Sequence, residues 1–74
     1  MKATLEFNLP EERCEHRIAV TAMDWALAMN ELDGQLRDWL KYGHDYSLDE
    51  VLEKTRERLH EILDERNLSL GMID

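Results

Sequence analysis

Residues 11–43 read EERCEHRIAVTAMDWALAMNELDGQLRDWLKYG, and the spacing of their apolar and small residues decides the fold. Cys14, Ile18, Ala22, Trp25, Met29, Leu32, Leu36, Trp39 and Gly43 step by 4, 4, 3, 4, 3, 4, 3 and 4. One stripe therefore holds helical phase for about eight turns. Ala19, Ala26 and Leu40 widen it. Just upstream, Pro10 suits the first turn of a helix, and Glu11, Glu12 and Glu15 place negative charge at the positive end of the helix dipole. The reading is one long helix over 11–42. Asp33-Gly34 is the place where it could end instead, since glycine costs about 1 kcal/mol against alanine inside a helix. The stripe passes Gly34 without losing phase, which favours continuity. Arg37 and Lys41 sit near the negative end of the helix, and Gly43 is a natural stop.

Outward from this helix, Ala3, Leu5, Phe7 and Leu9 alternate with Thr4, Glu6 and Asn8, the period of a half-buried strand over 3–9. Downstream, His44, Asp45 and Tyr46 form a short loop. Ser47-Leu48-Asp49-Glu50 has the pattern of a capping box, with Tyr46 and Val51 placed as its hydrophobic staple. A second helix over 48–66 follows, its inner face being Leu48, Val51, Leu52, Thr55, Leu59, Ile62 and Leu63. Asn67 can end it in a left-handed conformation. An apolar tail over 68–74, with Leu68, Leu70, Met72 and Ile73, either docks or pairs as an extended segment. The expected fold is mainly α with one short N-terminal β-strand: a single domain, 1–74, built on an antiparallel helical hairpin.

With 74 residues, 43% of them hydrophobic, the chain can fold but has little core to spare. Domains this small gain only about 3–5 kcal/mol from one core and lean on disulfides, metals or oligomerisation. A lone cysteine, Cys14, gives no internal disulfide and fits a reducing compartment. A helix over 11–42 spans about 48 Å and one over 48–66 about 29 Å, so the first overhangs the second. The strand, too, has no obvious partner in the chain beyond the tail. A homodimer, or a higher symmetric assembly, in which residues 3–9 pair across copies and the overhanging helices cross, would meet both needs. No apolar run reaches 18 residues, so no membrane span is expected, and MKATLEFNLPEE lacks the pattern of a secretory leader. Seventeen acidic against nine basic side chains, a formal charge of −8, argues against binding duplex nucleic acid through its phosphates.

Arg37 and Lys41 lie one turn apart, with Trp39, Tyr42, His44 and Tyr46 close in sequence. Two cations and several rings can hold a phosphorylated, base-bearing ligand, the guanidinium on phosphate oxygens and a ring on the base. Trp25 is a further candidate frame for base or ribose. The plainer account is that the cations complement the helix dipole and Trp39 is core. On the second helix Glu50, Glu53, Glu57, Glu61 and Asp64 form an acidic ribbon that could occupy a basic groove on a partner. Its plainer account is a solvated face tied by local pairs such as Glu50 or Glu57 with Lys54. His60 beside Asp64, Glu57 and Glu61 is not a HExxH arrangement, and no metal or cofactor is expected. Cys14 sits on the stripe and reads as a small buried hydrophobe. No catalytic motif is present, so a non-enzymatic role is expected.

The segments LEFNLPEE, ALAMNELDGQLRDWLKYG and EKTRERLHEILDERNL, taken together, resemble a group of short proteins encoded by tailed bacteriophages and prophages. The most distinctive piece is Leu36-Arg37-Asp38-Trp39-Leu40-Lys41-Tyr42-Gly43. That resemblance implies action in the cytoplasm of an infected bacterium. In size, in its oligomer logic and in its basic–aromatic cluster the chain is also similar to phage nucleotide sponges, which trap host immune signals at subunit junctions. It implies sequestration of a cyclic or ADP-ribose-type nucleotide, with Arg37 and Lys41 on the phosphates and Trp39, Tyr42 or Trp25 framing the rest. The alternative is an acidic inhibitor or adaptor that occludes a basic groove on a host or phage protein.

Overall fold

The computed structural model describes residues 1–72. It is mainly helical: α1 spans Arg13–Val20, α2 Ala22–Tyr42 and α3 Leu48–Glu65, and a 3₁₀ turn spans Leu70–Met72. The last two helices form the expected antiparallel hairpin. Ile73 and Asp74, the end of the tail, lie outside the described residues.

Gly34 does not interrupt α2, as the unbroken stripe requires, but the single helix over 11–42 divides at Thr21. Val20 and Thr21 are both β-branched, and the Thr21 hydroxyl donates to the Arg17 carbonyl at 2.8 Å. A hydroxyl bonding back one turn bends a helix at the point where branched side chains already crowd it. The break removes the expected overhang. α2 has 21 residues and α3 has 18, about 32 and 27 Å, so the hairpin arms match. α1 turns aside and packs against the tail and the start of α2. The tail is docked, not extended. Cys14 is exposed, contrary to its place on the stripe.

The second correction concerns residues 3–9. No strand occurs among the described residues, and this stretch has no regular structure. A strand needs a backbone partner, and docking of the tail on α1 removes the only candidate in the chain. Leu5 and Leu9 stay exposed, and Phe7 is half-buried edge-on to His16, ring centroids 5.4 Å apart.

Local signals set the ends of the hairpin helices. Ser47 Oγ accepts from the Glu50 amide at 3.3 Å, and Gly43 ends α2 at φ 85°. At the far end of α3, Asn67 takes φ 56°. The Leu68 amide donates to the Leu63 carbonyl at 2.8 Å and the Asn67 amide to the Asp64 carbonyl at 3.2 Å. These two bonds make a Schellman motif, and its usual apolar contact is supplied by Leu63 and Leu68, both buried.

The core is Ala28, Ile62, Leu63 and Leu68, flanked by Trp25, Leu32 and Leu59. Ala28 is small enough to bring α3 close to α2. Arg66, at the end of α3, reaches back to Glu31 in a direct ion pair and to Asp24 at 3.7 Å. Asp24 and Glu31 are two turns apart on α2, so one guanidinium clamps that side of the hairpin. No helix among the described residues is long and apolar enough to cross a membrane.

Two predictions follow from this packing. Ile62→Ala should cost about 2–5 kcal/mol, most of what a core of this size provides, and leave the chain largely unfolded at 25 °C by far-ultraviolet circular dichroism. Asn67→Gly should keep or raise the urea midpoint, whereas Asn67→Val, forced to φ 56°, should cost about 1–2 kcal/mol.

Candidate functional site

Each α-helical residue turns about 100° from the last. Arg37 and Lys41 therefore share one side of α2, while Trp39 lies about 160° round from both. Trp39 and Trp25 are on the face turned toward α3 and are half-buried, about 21 Å apart along the helix. The Trp25 indole N–H has no hydrogen-bond partner among the described residues. Arg37 is engaged with Asp33, Nε to carboxylate at 3.2 Å, both side chains largely exposed. Lys41 Nζ lies over the Tyr42 ring, 5.3 Å from its centroid. Within one chain the five residues Arg37, Lys41, Trp39, Tyr42 and Trp25 do not converge on a single pocket.

What does converge is the turn of the hairpin. Trp39 meets Tyr46 and His44 edge-on, with centroids 5.9 and 6.3 Å apart, and His44 stacks on Tyr46 at 5.8 Å and 19°. The Tyr46 amide donates to His44 Nδ1 at 3.2 Å, which fixes the imidazole against the ring. These side chains, with Gly43 and Asp45, line an open hollow of about 300 Å³. Lys54 Nζ stands 5.8 Å from the Tyr46 centroid and donates to the Glu57 carboxylate at 3.3 Å. That hydrogen bond, with the charge of Glu57, raises the Lys54 pKa above its ordinary value, so the ammonium remains charged. Lys54 is the cluster residue that sequence spacing did not offer. It belongs to α3, and only closure of the turn brings it to Tyr46.

The outer face of α3 carries Glu53, Arg56, Glu57, His60, Glu61 and Asp64 round a shallow trough of about 640 Å³. All six come from one helix, so this is a furrow between side chains and not an enclosed cavity. Glu57 and Glu61 are paired locally, with Lys54 and Arg58 at 3.3 Å each. Exposed pairs of this type contribute about 0–1 kcal/mol and leave the field of the helix acidic. Seven acidic side chains stand against three basic ones between Leu48 and Glu65. Among the described residues no three His, Cys, Asp or Glu side chains come together to hold a metal ion.

Tyr46→Ala should change the near-ultraviolet circular dichroism and the tryptophan emission, because it strips the edge contact from Trp39. Tyr42→Ala, at a ring that is largely exposed, should leave the tryptophan emission unchanged. Comparison of the chain with protein-family models, curated proteins and solved structures found no match.

Proposed function

We propose that this chain is a non-enzymatic binding protein that works as a homo-oligomer and engages a basic macromolecular partner along the acidic face of α3. The observation that carries it is the amount of surface the chain leaves uncovered. Its accessible area is 6359 Å², against about 4,800 Å² for a compact chain of 8.8 kDa. The molecule measures 49 × 30 × 17 Å and has a radius of gyration of 16.3 Å, against about 11 Å for a compact chain of 74 residues. A protein shaped this way works through its faces. Glu50, Glu57, Glu61 and Asp64 of α3 lie on the side away from α2, so they stay free when the hairpin self-associates, and they can imitate the phosphates of a nucleic acid. Residues 3–9 keep the alternation that pairing between copies would use.

The second reading is capture of a nucleotide-type immune signal, and the turn cluster is what favours it. Three rings surround a hollow wide enough for a base, with the Lys54 ammonium beside Tyr46. In this reading Arg37 and Lys41 come from the neighbouring copy or bind the outer phosphates. The resemblance to phage proteins and the single cysteine support action in the cytoplasm of an infected bacterium for either activity.

The two readings respond oppositely to substitution. A fluorescent oligo-arginine peptide should bind with a salt-sensitive Kd. Reversing Glu57, Glu61 and Asp64 to lysine should weaken it at least about tenfold, and Arg37→Ala should not change it. Equal binding by the reversed variant removes the acidic-face reading. Cyclic dinucleotides and ADP-ribose, incubated with the protein and recovered after heat denaturation, test the other. Retention lost in Arg37→Ala supports nucleotide capture, and no retention at micromolar protein removes it.

A further inference from the structure

We infer that the open side of the α2–α3 seam, at the turn end, is the binding face for a second copy of this chain, the two hairpins stacking about a two-fold axis parallel to the helices into a four-helix bundle. This rests on the self-association proposed above and names its surface and geometry.

Leu40, Leu48 and Leu52 are 88%, 88% and 71% exposed, although Leu48 and Leu52 continue the inner stripe of α3. Leu40 follows Trp39 and so lies about 100° round α2 from the residue facing α3. Leu52 lies about 60° round α3 from half-buried Thr55, and the antiparallel run of the helices turns it to the same side of the seam as Leu40. Leu36 and Met29 share that side of α2. The opposite side is the one that Arg66 closes with Asp24 and Glu31. The hairpin thus has one clamped side and one leucine side.

Charges beside the leucines identify the occupant. Outside the strip on α2 run Asp33, Arg37 and Lys41. Outside it on α3 run Arg56, Glu53 and Asp49. Measured from the turn ends of their helices, Lys41 and Asp49 each lie about 1.5 Å along the axis and Arg37 and Glu53 each about 7.5 Å. Asp33 and Arg56 lie about 12–14 Å along. Within one chain these rows point to opposite edges, and among the described residues Lys41, Arg56, Asp49 and Glu53 make no ion pair; Arg37 bonds only Asp33. A two-fold axis along the bundle lays α2 of one copy against α3 of the other, antiparallel and with the turns at the same end. Every charge then meets its opposite at its own height, twice over. An unrelated partner has no reason to match this order; a second copy does so by symmetry. The excess surface, about 1,600 Å² per chain, also exceeds the roughly 800 Å² per partner of a standard interface. Stacking two hairpins puts four helices round one shared core.

Sedimentation equilibrium on the 74-residue chain from 1 to 200 µM tests this. The wild type should sediment at twice the 8.8 kDa chain mass. Leu40→Glu and Leu52→Lys should each weaken the dimer at least about a hundredfold with helicity unchanged, since both side chains are exposed. Arg37→Glu and Glu53→Arg should each weaken it about tenfold, and an equimolar mixture of the two should recover wild-type affinity, because each heterodimer restores both opposite-charge pairs. Wild type at 8.8 kDa throughout would overturn both this interface and self-association. A dimer that survives Leu40→Glu and Leu52→Lys would overturn this interface and leave self-association standing. Failure of the mixture to recover would overturn the two-fold register.

Discussion

A seam between two antiparallel helices has two sides, and this chain closes one of them within itself. Arg66 does the closing. It stands at the end of α3, where a cation also meets the negative end of the helix dipole, and holds Glu31 and Asp24 across the gap. Beneath it, Ala28 gives α3 room to approach, and Ile62, Leu63 and Leu68 fill the space. The Schellman turn at Asn67 aims Leu68 into that core. Remove the clamp or the turn and only that small core is left to hold the arms together. Every other surface, the aromatic turn and the acidic face included, is carried on this one joint.

Much of the hairpin could be read along the sequence because its determinants are local. The Ser47 cap, the stop at Gly43, the left-handed Asn67 and the phase of the stripe through Gly34 each depend on residues within two turns. What escaped that reading depends on contacts far apart in the chain. Arg66 and Glu31 are 35 positions apart, and no periodicity links them. The alternation in residues 3–9 is a fair strand pattern, but a strand is a property of two segments, and the tail goes to α1 instead. Thr21 is an intermediate case: its branched neighbour and its hydroxyl were visible, yet the stripe runs through it, and whether a helix bends there depends on what waits at the other side. Here the tail waits.

The candidate site illustrates a related point. Arg37, Trp39, Lys41 and Tyr42 are crowded in sequence but spread round a helix, where neighbours at i+2 face nearly opposite ways. Trp39 goes inward, to His44 and Tyr46, and the cations go outward. Side chains from the loop and from α3 join Trp39 of α2 in the cluster that does form. Its members had been adjacent in sequence except for Lys54, which the fold supplies.

A chain of net charge −8 resists its own copy, and the placement of charge determines whether the proposed pairing survives this. The acidic excess of α3 points away from α2, and in the stacked arrangement the two acidic faces lie on opposite corners of the bundle, on the order of 25 Å apart for axes packed at ordinary spacing. That is several Debye lengths at physiological salt, where the screening distance is about 8 Å. At the seam itself each sign meets its opposite. Such rim pairs contribute little affinity, about 0–1 kcal/mol each, but a slip of one position sets Asp33 against Glu53 or Arg37 against Arg56, so they favour one stacking over its shifted registers. The affinity comes from the leucines, each worth about 1.5–3 kcal/mol when fully buried. Apolar side chains drive closure, and the charges beside them decide how it closes, which leaves the acidic faces turned outward for another partner.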